Sequence, residues 1–300
     1  MSWGATARLQ RFWDIRAACN FIGGGTGSSL LVWAALGLLA GLPYFPIALV
    51  GILFIGAGLF MVWLEIGKPW RAFRVFFRPQ TSWMTREGIV AQPLLALGAI
   101  AIVFDADVAL QLTTPSPIVP AVLTAALCLV FLYCQLRILN SARGLPAWSE
   151  PRAMPLLGLS GLTEGLGMYL LLTAVLGFTS IVMMVIMVVL VGARALAWHS
   201  YIDGLKNGSA PAATITTLVA MRSGFLLAGH VLPVILLALA FAWPGMSIIL
   251  TALASITAAI AGWWFKVILM TRAAYIPATV IPHAPVRGRR GPPAAVKRIS

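Results

Sequence analysis

Three hundred residues, 60% of them apolar and only 10% charged, with a strongly positive mean hydropathy, do not make a water-soluble domain. A net charge of +13 would suggest nucleic acid in a soluble chain, but here the cations sit in short connections between apolar runs, where they set topology. Nucleic-acid binding is excluded, and the composition predicts an all-α integral membrane protein.

The N-terminal segment, 1–17, places Arg8, Arg11 and Arg16 before an apolar run too long for a signal peptide and lacking a small-x-small cleavage site, so that run is expected to remain as the first helix. A bilayer core needs about 20 residues of helix. Eight stretches meet that need, at roughly 18–41, 46–66, 85–104, 118–139, 155–177, 180–198, 222–243 and 246–270, predicting eight transmembrane helices in a membrane domain of 18–270. Glycines cluster in the first helix (Gly23, Gly24, Gly25, Gly27) and the fifth (Gly158, Gly161, Gly165, Gly167). Small residues at such spacing let backbones approach closely, and four spans return the chain to its starting side, so two four-helix bundles in parallel orientation are expected.

The connections near 42–45, 105–117, 178–179 and 244–245 hold no Lys or Arg, and the second carries Asp105 and Asp107. All 21 cations are assigned to the other side, which makes both termini cytoplasmic by the positive-inside rule. The segment 271–300 is a basic cytoplasmic tail; from Pro282 onward it has no apolar periodicity and is expected to be ordered only by a partner or by anionic membrane lipid.

The most crowded stretch is Trp63–Glu87, WLEIGKPWRAFRVFFRPQTSWMTRE, where Glu65 shares a membrane edge with Lys68, Arg71, Arg74, Arg78 and Arg86. Arginines at helical spacing, interleaved with Trp70, Phe73, Phe76 and Phe77, predict a short interfacial helix between Pro69 and Pro79 with its rings turned inward. One reading is a plain connector; the other is a functional site, because a carboxylate at the end of a spanning helix is costly unless paired or used. Lys68, three residues on, is a candidate ion-pair partner for Glu65.

The run GGGTG lacks the Lys-Ser/Thr of a phosphate loop and lies inside a spanning helix, so packing explains it. Cys19, Cys128 and Cys134 follow no pairing or ligand spacing and read as small apolar residues. The only histidines are His199, His230 and His283. Without paired axial ligands, a CxxC or a carboxylate-histidine cluster, no haem, iron-sulfur cluster or metal site is expected in this chain. His230 reads as a hydrogen-bonded core histidine.

What remains is a set of polar residues in or at the ends of apolar helices: Asn20, Glu65, Gln92, Tyr133, Gln135, Arg137, Glu164, Tyr169, His199 and Arg272. Most lie toward the cytoplasmic end. Apolar walls, aromatic rings and a few hydrogen-bond donors there suit an amphiphile with two carbonyls and a greasy tail, such as a quinone. Glu164, deeper in its helix, is either a protonated acid bonded between helices or a proton relay.

Four stretches carry a family resemblance: WDIRAACNFIGGGTGSSLL (Trp13–Leu31), LEIGKPWRAFRVFFRPQTSWMTRE (Leu64–Glu87), RILNSARGLPAW (Arg137–Trp148) and GWWFKVILMTRAAY (Gly262–Tyr275). Together they resemble the membrane-anchor subunits of molybdopterin oxidoreductases, the polysulfide-reductase membrane-subunit (NrfD-like) family, nearest its dimethyl sulfoxide reductase anchor branch. The resemblance implies a haem-free eight-helix subunit of a bacterial inner membrane. It also implies one quinone site (menaquinone or ubiquinone) near the face carrying the soluble subunits, and two partners: a four-cluster iron-sulfur subunit and a molybdopterin catalytic subunit. Asn20, Glu65, Tyr133 and Arg137 match the quinone region, although that branch has histidine where this chain has Glu65.

The expected function is thus a membrane anchor that exchanges electrons and protons between soluble subunits and the quinone pool, as in anaerobic or sulfur respiration. Glu65 is the candidate proton-transfer residue and Glu164 the candidate proton pathway. Arg71, Arg74, Arg78, Arg86 and Arg272 are candidates for docking the partner. The rival classes are a polytopic transporter or proton channel, and a structural anchor without quinone.

Overall fold

The computed structural model describes residues 7–66, 69–109 and 115–277. Lys68 and the basic tail from 278 onward, with His283 and Arg287, lie outside the described residues, as does the side chain of Asp107. Eight helices are long and apolar enough to cross a membrane. They are α1 (Ile15–Leu39), α2 (Phe45–Glu65), α3 (Trp83–Ala109), α4 (Ile118–Asn140), α6 (Ala153–Val175), α7 (Ile181–Asn207), the α8–α9 pair (Ala212–Leu226 and Leu232–Ala242, joined by a π turn at Leu227–Val231) and α10 (Ser247–Thr271). A one-turn helix, α5 (Pro146–Ser149), lies in the connection before α6. The chain is an all-α, multi-pass membrane protein.

Helix α1 is the axis of the packing, buried on nearly every side against α2, α4, α6 and α10. Its glycines explain why. A Cβ on Gly23 would strike the Phe54 carbonyl oxygen and Gly58 of α2, and one on Gly27 would lie 2.6 Å from the Gly51 carbonyl oxygen. The α1–α2 contact is therefore backbone against backbone, the close approach that small residues permit between helices in lipid. Helices α1–α4 pack as one group and α6–α10 as another, joined where α1 meets α6 and α10. Gly165 of α6 admits Ser29 of α1 at that join.

Both ends of the described chain meet on one face, where Arg8 and Leu9 pair antiparallel with Ile276 and Tyr275. Gln10 locks this ribbon: its amide donates to Met270 O at 2.9 Å and its side-chain oxygen accepts from Trp13 N at 2.9 Å. Trp13 stacks on Trp148 of α5 with ring centroids 4.9 Å apart. We call this the terminal face. On the same face Asp14 caps α1 by accepting from Arg16 N at 2.8 Å, and the Arg16 side chain, bonded to it, holds the Asp14 carboxyl below its ordinary range. Arg16 also donates to Leu64 O at 3.2 Å, placing a cation on the C-terminal end of α2.

At the far face, α2 begins without a capping side chain of its own. Asp105 of α3 supplies it, accepting from Tyr44 N at 3.1 Å and Phe45 N at 2.7 Å. A carboxylate there satisfies orphan donors and complements the helix dipole.

The expected interfacial helix is a 3₁₀ segment, Pro69–Phe77. Its rings divide: Phe76 packs inward, whereas Trp70 is 86% and Phe77 77% exposed on the outside of the bundle. The seventh span starts at Ala212, ten residues before the expected 222, because Thr214, Thr216 and Thr217 extend the helix beyond its apolar part. Likewise α7 runs past its apolar part to Asn207 instead of ending at 198, through His199, Ser200, Asp203 and Lys206.

Candidate functional site

Near the terminal face, α1, α3 and α4 bring three polar residues together inside the bundle. Asn20, Glu87 and Gln135 are all buried. The Gln135 amide donates to Glu87 Oε1 at 3.0 Å and to the Asn20 backbone oxygen at 3.3 Å. Gly24 makes this possible, since any Cβ there would occupy the space of the Gln135 amide. Asn20 Oδ1 is buried without a hydrogen-bond partner among the described residues. Glu87 has no cation within ion-pair distance among them. An acid held only by neutral amides, those of Gln135 and Asn20, beside the orphan Asn20 Oδ1 has bonding capacity left for a ligand.

That cluster forms the wall of a cavity of about 230 Å³ bounded by Phe12, Trp13, Asn20, Phe21, Glu65 and Glu87. A second space, a groove of about 340 Å³, runs between α2, the 3₁₀ segment and α3, with Leu59, Trp63, Phe73, Phe76 and Leu95 among its almost wholly apolar lining. The two share the wall made by Val62, Ile66, Met84 and Glu87. The groove's rim residues Trp63, Phe73 and Gln92 are exposed on the lipid-facing surface. Glu87 thus stands between an aromatic and aliphatic chamber, whose polar side chains are Asn20, Glu65 and Glu87, and an almost wholly apolar groove.

Of the four residues expected to bind quinone, Asn20 and Glu65 both line the smaller cavity. Tyr133 and Arg137 do not join them: they gather on Trp83, Tyr133 edge-on at 5.7 Å and the Arg137 guanidinium 4.9 Å from the ring centroid, and neither lines the two spaces. Glu65 forms no ion pair among the described residues; its expected partner, Lys68, is outside them. Among the docking candidates Arg71, Arg74, Arg78 and Arg272 are exposed. Arg86 is engaged internally, 4.0 Å from the Trp83 ring centroid and donating to Pro79 O at 2.7 Å and Gln80 O at 2.9 Å.

A second polar cluster lies deeper. Glu164 Oε2 pairs with Lys266 Nζ at 2.7 Å and accepts from Thr26 Oγ1 at 2.8 Å, while Lys266 also donates to Phe21 O at 3.1 Å. Gly25 and Gly262 leave room for the two side chains. Glu164 is thus bonded between helices, and the reading corrected is that of its partner Lys266, assigned from sequence to the interfacial cations. Arg194 needs the same correction. It lies mid-way along α7, fully buried, donating to Gly229 O at 2.6 Å, Ala258 O at 3.0 Å and His230 Nε2 at 3.1 Å. His230 Nδ1 lies 3.0 Å from Phe225 O; with Nε2 accepting from arginine, Nδ1 carries the proton and donates. The π turn presents the Gly229 carbonyl that Arg194 uses.

Sequence reasoning missed Glu87, Lys266 and Arg194 as interior residues, yet each carries a signal. Arg194 shares a helix face with Met187, Val191 and Trp198, all buried, and Lys266 follows Ala258 and Gly262 at four-residue steps on the small-residue face of α10. Glu87 begins the buried face that Ala91 and Leu94 continue. No family model matches the chain, and no curated protein matches it either.

Proposed function

We propose that the protein is the quinone-reactive membrane anchor of an oxidoreductase complex, with its quinone site at Glu87, Asn20 and Glu65. The observation that carries this reading is the junction described above: a chamber of about 230 Å³ with Asn20, Glu65 and Glu87 on an otherwise apolar wall, and an apolar groove of about 340 Å³, meeting at one buried carboxylate. A molecule with a carbonyl-bearing head and an isoprenoid tail matches both halves. The head would face Glu87 and Asn20 while the tail lies along Leu59, Phe76 and Leu95 toward the lipid. Reduction of a quinone consumes two protons with two electrons, and two carboxylates at the chamber, Glu65 and Glu87, are placed to hand protons to it.

In this reading the terminal face is cytoplasmic, as the loop cations favour, and the membrane is a bacterial inner membrane. The exposed Arg71, Arg74, Arg78 and Arg272 receive an acidic surface of an iron-sulfur subunit, which links the site to a molybdopterin catalytic subunit. The chain itself would carry no haem and no iron-sulfur cluster. A transporter or proton channel draws support from the buried charges Glu164, Lys266 and Arg194, but α1, α2, α4, α6, α7 and α10 run unbroken, unlike the discontinuous helices of many transporters.

The test is quinone content. Protein purified from its native membrane should yield about one extractable quinone per chain, and Gly88→Leu should abolish it, because a side chain at Gly88 projects toward Phe76 and fills the groove. No quinone in the wild-type protein, or equal quinone in the two, would leave a structural anchor as the better reading.

A further inference from the structure

A third cleft, about 200 Å³, lies between α7 and α8 and plays no part in the quinone reading. His199, Asp203 and Lys206 line it from α7, Arg222 from α8, and the fully buried Trp198 forms part of its wall. The charges gathered here do not neutralise one another: neither Lys206 nor Arg222 forms an ion pair with Asp203. Trp198 packs tightly, its ring centroid 4.8 Å from that of Phe225. Its indole Nε1 nevertheless has no acceptor among the described residues. That N–H is inaccessible, Trp198 being 0% exposed, so what the cleft itself presents is two exposed cations without an anionic partner among the described residues.

Depth identifies the anionic partner. From Ile181 to Trp198 the helix α7 is interrupted by only one charged residue, Arg194, and this run is about 27 Å long at a rise of about 1.5 Å per residue. That matches a hydrocarbon core of roughly 30 Å, so His199 and Arg222 stand at the level of lipid phosphates. Val219 and Leu196, 42% and 73% exposed, offer acyl chains an apolar flank. We infer that the cleft is a phospholipid headgroup site in the leaflet of the terminal face. Arg222 and Lys206 hold the phosphate, and His199 donates to one of its oxygens. Asp203 selects a headgroup that brings its own donors, such as the hydroxyls of phosphatidylglycerol, over choline, which has none. The site charge, two cations and one carboxylate, balances one phosphodiester.

The purified protein, tested by native mass spectrometry with added phosphatidylglycerol, phosphatidylcholine or inorganic phosphate, decides the matter. Phosphatidylglycerol should be retained in preference to phosphatidylcholine. Its retention should fall about tenfold in R222Q/K206Q, as expected for loss of charge-assisted hydrogen bonds, and stay unchanged in R11Q/R143Q, which removes equal charge from exposed positions on the same face. Equal loss in both double variants would reduce the effect to the basic belt as a whole and overturn the site. Equal retention of phosphatidylcholine would mean annular lipid only, and displacement by millimolar inorganic phosphate would mean a soluble anion; either overturns it too. If R222Q/K206Q does not fold, R222Q alone decides: a several-fold loss supports the site and unchanged retention refutes it.

Discussion

Glu164 Oε2 and Lys266 Nζ lie 2.7 Å apart between α6 and α10, with 0% and 4% of their side chains accessible. The pair joins the two helical groups at their seam, because Thr26 and Phe21 of α1 bond to its two members. Neither charge can be solvated if the other is lost. Arg194, a further buried charge, has neutral partners only, two carbonyls and His230.

Removing one member of the pair leaves an uncompensated charge, so E164Q and K266M should each destabilise the protein by ~3–5 kcal/mol, whereas E164L/K266M should recover most of that loss. Titration with a denaturing detergent measures all three. Additive losses in the double variant would mean that the two residues act independently.

The glycine run offers a sharper packing test. Gly23→Ala and Gly27→Ala push a methyl group into backbone atoms of α2 and should cost about 1–3 kcal/mol or more. Gly56→Ala, with nothing within 4 Å of its Cβ position, should be neutral or stabilise by about 0.5–1 kcal/mol through helix propensity. The order of unfolding midpoints reports the outcome; equal midpoints would show that α1 and α2 do not touch as described.

At the proposed quinone site, E87Q preserves shape while removing the acid. In the assembled complex, quinone-linked turnover should fall by about 10²–10⁴, the range that general acid-base groups supply, while artificial-dye activity of the soluble subunits stays normal. E65Q should act in the same direction and less strongly, since Glu65 is only half-buried. Normal quinone turnover in both variants would remove these carboxylates from proton delivery.

Asp105→Ala deletes the cap on α2 and should cost ~1 kcal/mol. The effect should be local to the far face, seen as faster hydrogen exchange at the amides of Tyr44 and Phe45. Unaltered exchange there would mean that water replaces the carboxylate without cost.

Orientation is open to reporter fusions. Fusions after Ala109 and after Ser300 should report opposite sides, with the second in the cytoplasm. An external signal at Ser300 would move the terminal face, and with it the docking arginines, across the membrane.

Eight spans, a glycine-packed first helix and a cation-rich end were legible in the sequence because each follows from local composition. An apolar run long enough to span reads the same in any context, and Gly at four-residue spacing marks a close contact wherever it occurs. Asn20 and Glu65 were expected together because each is polar at the end of an apolar helix, and both line one cavity. Tyr133 and Arg137 passed the same test, yet they stack on Trp83 outside the cavity, since end-of-helix position does not say which way a side chain points.

Partnership was decided only by the tertiary structure. Glu87 could be read as part of a loop motif until α3 turned its first buried face onto Gln135, and Lys266 as an anchoring cation until α10 set it against a glutamate 102 residues away. Hydropathy treats a charge near a helix end as interfacial, because it cannot know that a neighbouring helix offers a counter-charge within reach. In lipid that knowledge determines the answer: the cost of burying a charge depends on its partner, and the partner is chosen by the packing of α1, α6 and α10.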